Sequence, residues 1–293
     1  HLRSLAAAGL SNIGEKKAVR PLMKLFSDPY EDVQEAAVKA LGNFREHLST
    51  GEIISYLKDK NPDIRKNAVL LLGRIGADNT VDAIGFALKD EAVSVREAVV
   101  SALSSIKTDE SIRYLTVALT DEDPFIRASA ALSLGAIGIC GEKTSESLVL
   151  LLSDTDDSVR VAAVRALGMT GDTKAMRHLI NMLKDTNGFV VTTSLEALSK
   201  LGGSEAREAI TKMLDSDDIE IKRTAIRSLS AFHGVEGIIL PYLKDRDWAT
   251  RMAAIEALNR APEERVIKEI EKLIDTEEDP VVRKALEEFL NVR

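Results

Sequence analysis

The chain has 293 residues, a formal net charge of −8, 45% hydrophobic residues and only 4% aromatic residues. That is enough apolar material for a folded core, and with so few aromatic rings the core has to be built from Ala, Leu, Ile and Val. The acidic balance argues against a general nucleic-acid binder, no run is long and apolar enough to span a membrane, and the single cysteine, Cys140, excludes an intramolecular disulfide and a multi-cysteine metal site.

Taken in order, the chain begins with Leu2 to Gly14, LRSLAAAGLSNIG, which reads as the second helix of a helix pair. Its first helix is missing, so the chain is expected to be a piece of a longer protein whose upstream targeting signals cannot be judged. The same unit then returns down the chain. Its clearest copy is Asp121 to Gly138, DEDPFIRASAALSLGAIG: an acidic turn with a proline, a hydrophobic residue followed by Arg, an alanine-rich amphipathic helix and a glycine stop. Pro124 suits the first turn of a helix. Ile126, Ala130, Ala131, Leu134 and Ile137 share one face, and Gly135 and Gly138 stand where the helix should end.

Aligned on Arg127, the equivalent residues are Arg3, Gln34, Arg65, Arg96, Arg160, Val191, Lys222, Arg251 and Arg283. The spacing is 31 residues up to Arg127, 33 to Arg160 and 29 to 32 beyond. Three residues after this slot stands a small residue: Ala6, Ala37, Ala68, Val99, Ala130, Ala163, Ser194, Ala225 or Ala254. Seven after it stands Leu: Leu10, Leu41, Leu72, Leu103, Leu134, Leu167, Leu198, Leu229 or Leu258. Small residues let helices approach and leucines fill the space between them. Each unit also has a first helix, with an apolar residue eight before the slot (Phe26, Leu57, Leu88, Leu119, Leu152, Leu183, Leu214, Leu243). Another lies four before that (Leu22, Ile53, Ile84, Leu115, Leu148, Leu179, Ile210, Ile239).

The loops are too short for anything but antiparallel neighbours, and no segment alternates as a strand does. The expected fold is all-α: about ten two-helix repeats in one continuous α-solenoid over residues 1–293. The final unit departs, with a longer turn over Asp275 to Arg283 and a truncated, charged helix over Ala285 to Leu290.

The acidic turn carries the most specific chemistry. Asp28, Asp59, Asp90, Asp121, Asp154, Asp185 and Asp245 each lie six residues before the slot. Such an Asp can bond the Arg beside it or reach the neighbouring unit, giving a structural ladder from Asp59, Arg65, Asp90, Arg96, Asp121, Arg127, Asp154, Arg160, Asp245 and Arg251. A carboxylate row for a metal is disfavoured, because the acids are a whole repeat apart and each has a basic neighbour. The ladder should break at Val191 and weaken at Gln34, and Asp215 is one place out of register.

The pattern resembles the HEAT-repeat family and, in its short unit, the phycobilisome-lyase-type HEAT-like repeats. The matching residues include Asp154 with Val159-Arg160, Ala163 and Ala166-Leu167-Gly168, and Asp59 with Ile64-Arg65, Ala68, Leu72-Gly73 and Ile75-Gly76. The resemblance covers the whole chain. It implies a right-handed solenoid whose second helices line a concave face and hold partners. The motif is specific for fold and poor for function.

No catalytic, cofactor or metal site is expected. None of His1, His47, His178 and His233 precedes Glu or lies at ligand spacing from another His or Cys. Cys140, in ICGEK, has no base adjacent in sequence and reads as structural; a lone reduced thiol fits a cytoplasmic protein. No phosphate-binding glycine motif occurs. Trp248, in the RDW turn, is expected to pack on the next unit.

If second helices line the concave face, their exposed residues fall one, five and nine after the slot. In the third to sixth units these include Lys66, Leu70, Arg74, Ala128, Leu132, Ala136, Val161, Arg165 and Met169, and in the eighth they turn basic with Arg223 and Arg227. Leu70, Leu132, Val161 and Met169 are apolar where water is expected, flanked by Lys66, Arg74 and Arg165. The expected function is a non-catalytic scaffold holding a protein or peptide there, with no membrane or nucleic acid. The alternatives are a subunit of a bilin lyase or related chromophore-handling enzyme, which rests on the resemblance, and a nucleic-acid binder, which lacks a continuous basic track and stacking aromatics.

Overall fold

The structure, a computed structural model, describes residues 2–13, 16–77, 80–138, 141–259 and 263–291, without the side chains of 11–13. Every regular element among them is helical, and the chain divides into two compact units, His1–Leu151 and Leu152–Arg293. The first holds α1 (Leu2–Ile13), α2 (Val19–Lys24), α3 (Glu31–Leu41), α4 (Thr50–Tyr56), α5 (Pro62–Ile75), α6 (Val81–Phe86), α7 (Val93–Ile106), α8 (Asp109–Ala118), α9 (Pro124–Ile137) and α10 (Glu142–Leu150). The second holds α11 (Asp157–Thr170), α12 (Met176–Met182), α13 (Gly188–Leu201), α14 (Gly203–Lys212), α15 (Ile219–Leu229), α16 (Glu236–Ile239), α17 (Trp248–Leu258), α18 (Glu264–Ile274) and α19 (Pro280–Asn291). Within each unit the helices pack in sequential pairs, each odd-numbered second helix against the next second helix and against the first helices beside it. This is a HEAT-type solenoid packing.

The slots identified by periodicity are the core. Ala37, Ala68, Val99, Ala130, Ala163, Ser194, Ala225 and Ala254 are buried, as are the leucines four residues on, from Leu41 to Leu258. Leu22, Ile53, Ile84, Leu115, Leu148, Leu179, Ile210 and Ile239 seal the first helices from the other side. Three expected core residues, Leu10, Leu57 and Leu88, are only half-buried, and in α1 Ala6 is exposed.

Second helices start at a cap and stop at a glycine. The side chains of Asn61, Asp123, Asp156, Asn187, Asp218 and Asp247 accept hydrogen bonds from N–H groups of the first helical turn, which otherwise lack partners. Gly76, Gly138 and Gly171 close α5, α9 and α11 with φ between +63° and +80°. The glycine three residues earlier is not a stop: Gly135 lies buried inside α9. Its counterparts show why this position is glycine. A Cβ on Gly73 would stand 2.6 Å from that of Ala102, and one on Gly168 would stand 2.7 Å from that of Ala197. The absent side chain lets α7 close on α5 and α13 on α11. The last helix is not truncated: α19 runs for 12 residues.

Candidate functional site

The acidic turns are built alike. In each, the residue six before the slot turns its side chain back to accept the N–H two residues on: Asp59 from Asn61 at 2.8 Å, Asp90 from Ala92 at 2.9 Å, Asp121 from Asp123 at 2.9 Å, Asp154 from Asp156 at 2.9 Å and Asp245 from Asp247 at 2.9 Å. Where Asp215 is out of register, the Ser216 hydroxyl accepts from Asp218 at 3.2 Å instead. Such Asx turns hold the chain in the shape that delivers it to the next helix.

Arg65, Arg96, Arg160 and Arg251 do not bond the carboxylate six residues before them. Nη1 of Arg65 donates to the backbone carbonyl of Asp59 at 2.8 Å, while Nε and Nη2 donate to Asp90 of the following repeat at 2.7 and 2.8 Å. Arg96 does the same with the Asp90 carbonyl and the Asp121 carboxylate, and Arg160 with the Asp154 carbonyl and the Asp185 carboxylate. Nη1 of Arg127 donates to the Asp121 carbonyl at 2.9 Å. Arg251 holds the Asp245 carbonyl, but the carboxylate it meets is Glu277, at 2.7 and 2.9 Å. One planar guanidinium thus ties its own turn to the next repeat, which only Arg can do.

Burial is the largest influence on Asp90 and pushes its carboxyl up, but the Arg65 hydrogen bond and the Ala92 N–H together hold it below the usual range. For Asp185 the Arg160 hydrogen bond is the largest influence, and the carboxyl again sits low. The guanidinium of Arg160 is correspondingly raised, mainly by its bond to Asp185.

Two of the expected irregularities have specific solutions. Gln34 keeps the bond to its own turn, to the Asp28 carbonyl at 2.7 Å, and its side-chain oxygen accepts from buried Asn67, which also reaches the Phe26 carbonyl. In the eighth repeat Lys222 makes no ion pair with a described residue; its neighbour Arg223 replaces it and meets Asp247 at 2.7 Å. Val191 is buried and apolar. The expected basic patch is neutralised, because Arg223 is held by Asp247 and Arg227 by Glu256.

This ladder is saturated with internal partners and offers no ligand site. The candidate surface is a groove of about 310 Å³ across α3, α5 and α7. Lys66, Leu70 and Arg74 are its central ridge. Its floor is Val38, Gln34, Asn67 and Ala98, and its walls are Glu31, Glu35, Glu97, Ser94 and Ser101. Lys66 is engaged by Glu31 at 3.0 Å. Among the described residues, Glu35, Glu97 and the Arg74 guanidinium make no ion pair.

Of the other expected contact residues, Leu132 stands exposed on α9 but does not line this groove, with half-buried Ala128 and exposed Ala136 at the flanking slots. Val161, Arg165 and Met169 stand on α11 in the second unit, the first half-buried and the others exposed. The surface around Leu70 is more polar than an apolar stripe, because the same slots in neighbouring repeats are Glu35, Glu97 and Ser101. Those three were legible by the register rule applied one repeat further each way.

Trp248 does not disappear into the next repeat: half of it is exposed. His47, His178 and His233 are exposed, and among the described residues no group of His, Cys, Asp or Glu is placed to hold a metal. Cys140, like Gly14 and His1, lies outside the described residues. No described helix is long and apolar enough to cross a membrane.

Comparison with known proteins agrees with this architecture. A sequence profile described as HEAT repeats matches residues 50–135, 87–159, 144–230 and 208–291, and one described as HEAT repeat matches residues 18–47. No curated protein matches the chain. Among solved structures it is similar to YibA of Escherichia coli, with 22% identity, a TM-score of 0.57 and coverage of 86% of this chain and 96% of that one. It is also similar to an engineered protein, at 22% identity, TM-score 0.49 and coverage of 92% and 86%. The complex of CpcE and CpcF of phycocyanin lyase from Nostoc sp. gives 21% identity, TM-score 0.46 and coverage of 78% and 94%. Identities this low speak to fold alone. With profile matches running from residue 18 to residue 291, the chain belongs to the HEAT-repeat family.

Proposed function

We propose that the protein is a non-catalytic interaction scaffold that seats a segment of a protein partner in the groove across α3, α5 and α7. HEAT repeats generally serve as protein–protein interaction scaffolds, and the groove supports this reading with one observation above others. Its exposed charges Glu35, Glu97 and Arg74 are uncommitted among the described residues and flank half-buried Leu70, whereas the neighbouring ladder arginines are held by internal carboxylates. A segment offering an aliphatic side chain to Leu70 and a cation to Glu35 and Glu97 would meet an apolar centre within a charged rim. Leu132, two second helices further on, widens the surface available to a longer partner.

The test is a selection of peptides from a displayed random library against the whole chain, followed by affinity measurements on two variants, Leu70→Asp and Glu97→Arg, whose helix content is first checked by circular dichroism. The enriched peptides are expected to bind each variant about tenfold more weakly. Equal affinity for parent and variants would remove the groove from consideration.

A further inference from the structure

In the second unit, the starts of four consecutive second helices each leave one large apolar side chain in water. These are Phe189 (78% exposed), Ile219 (42%), Trp248 (50%) and Val281 (54%). Three contacts place them along one edge. A Cβ on Gly188 would lie 3.9 Å from Oδ2 of Asp218, so the start of α13 meets the start of α15. Arg223 of α15 reaches Asp247, the residue before Trp248, at 2.7 Å. Arg251 of α17 reaches Glu277, on the turn that leads into Val281, at 2.7 Å. Helix starts in water favour acidic and small polar residues, yet each of these four side chains keeps a large part of its apolar surface in water.

The edge is also strongly acidic. Asp215, Asp217, Asp218, Asp275 and Glu278 make no ion pair with a described residue, and all are exposed. Exposed Lys184, Arg246 and Arg283 and half-buried Lys222 stand on the same turns and helix starts; with Asp245 and Asp279 beside the five carboxylates, the acids still outnumber these cations. The first unit has exposed Tyr30, Val93 and Phe125 at the corresponding helix starts, but Pro62 and Asp63 interrupt the row.

We propose that this edge docks a cationic peptide studded with apolar residues, in an extended, polyproline-like conformation. The charge of the edge selects a basic partner and repels acidic peptides and nucleic acid. The spacing selects the conformation. Packed helices lie roughly 8–10 Å apart. A polyproline-type strand returns to the same face every three residues, about 9 Å further on. Every third side chain therefore meets Phe189, Ile219, Trp248 and Val281 in turn, and the lysines or arginines between them face the carboxylates. About ten residues of partner cover the row. The site belongs to a different unit from the groove, and neither reading depends on the other.

Trp248 is the only tryptophan, so its fluorescence reports occupancy directly. The full chain is titrated with three synthetic Trp-free peptides of about ten residues. One carries Lys and Pro with Leu at every third position, the second replaces Leu by Ser, and the third replaces Lys by Glu. The first is expected to shift the Trp248 emission to the blue and to saturate, and the other two to bind at least about tenfold more weakly. Phe189→Ser and Ile219→Ser, at exposed positions and still carrying the reporter, should each weaken the first peptide by about tenfold, and Asp217→Lys should flatten its salt dependence. If Phe189→Ser loses helix content, Val281→Ser at the far end of the row takes its place. No response to the first peptide up to about millimolar concentration, equal binding of the Leu and Ser peptides, or variants binding as tightly as the parent would each overturn the proposal.

Discussion

An arginine such as Arg160 stabilises two things at once, because its fork is divided between the Asp154 carbonyl and the Asp185 carboxylate of the next repeat. Removing the carboxylate leaves the nearly buried guanidinium with the Asp154 carbonyl and the Asp157 carboxylate as partners, so the loss is that of a charged hydrogen-bonded contact, about 1.5–3 kcal/mol. The pH dependence follows from the direction of the shift. Asp185 titrates below its ordinary value of 3.8 because Arg160 holds its charged form. The unfolded chain therefore takes up this proton more readily than the folded one. The stabilisation is complete above the ordinary value and is lost as the pH falls through the lowered one. Asp185→Asn is expected to lower the urea midpoint markedly at about pH 7 and progressively less as the pH falls below the ordinary value of 3.8, the two curves converging only below the lowered value, where the parent loses the same charge. A constant gap across that range would mean that the carboxylate's charge contributes nothing.

At the scale of the element, each second helix is specified by a cap, a slot and a stop. The sixth repeat shows all three: Asp156 accepts the Ser158 N–H, Arg160 fills the slot and Gly171 closes the helix with φ +70°. The seventh departs, with Val191 buried in the slot and Ser216 in place of the next repeat's Asp. A pair of substitutions tests whether α13 and α15 can accept the tie found elsewhere. Val191→Arg alone should cost about 3 kcal/mol, since it buries an unpaired charge. Val191→Arg with Ser216→Asp should recover most of that loss and end within about 1 kcal/mol of the parent, because a buried ion pair and an apolar contact are nearly equivalent. A double variant as unstable as the single one, by denaturant unfolding, would show that the seventh repeat stacks in a different register.

For the molecule as a whole, stability is a sum over repeats and the interfaces between neighbours. Leu198 is buried in α13 between its neighbouring helices, so Leu198→Ala should cost about 2–5 kcal/mol. The loss should be local. Amide hydrogen exchange is expected to rise in α11, α13 and α15 and to stay unchanged in α5 and α7. A uniform rise along the chain would indicate one cooperative unit in place of a nearest-neighbour stack.

Much of this was written in the sequence, because the signals are local and repeat. A period of 31 residues, Ala three after the slot and Leu seven after it need no knowledge of what they pack against. The 3.6-residue period places them on one face, and one face has to be buried. The start of α9 was equally legible, from Pro124 three residues before the slot. The choice of partner was not legible. Arg65 could have bonded Asp59 on its own turn; it bonds Asp90, 25 residues on, because stacking brings the next turn closer to the fork than its own carboxylate, which is held by Asn61. The exchange of Lys222 for Arg223, the closeness of Gly73 to Ala102 and the meeting of Leu70 with Glu35 and Glu97 are decided in the same way. Each depends on how one repeat is rotated and shifted on the next, and that is settled by the sum of many side-chain contacts between separate helices, which no single stretch of the chain contains.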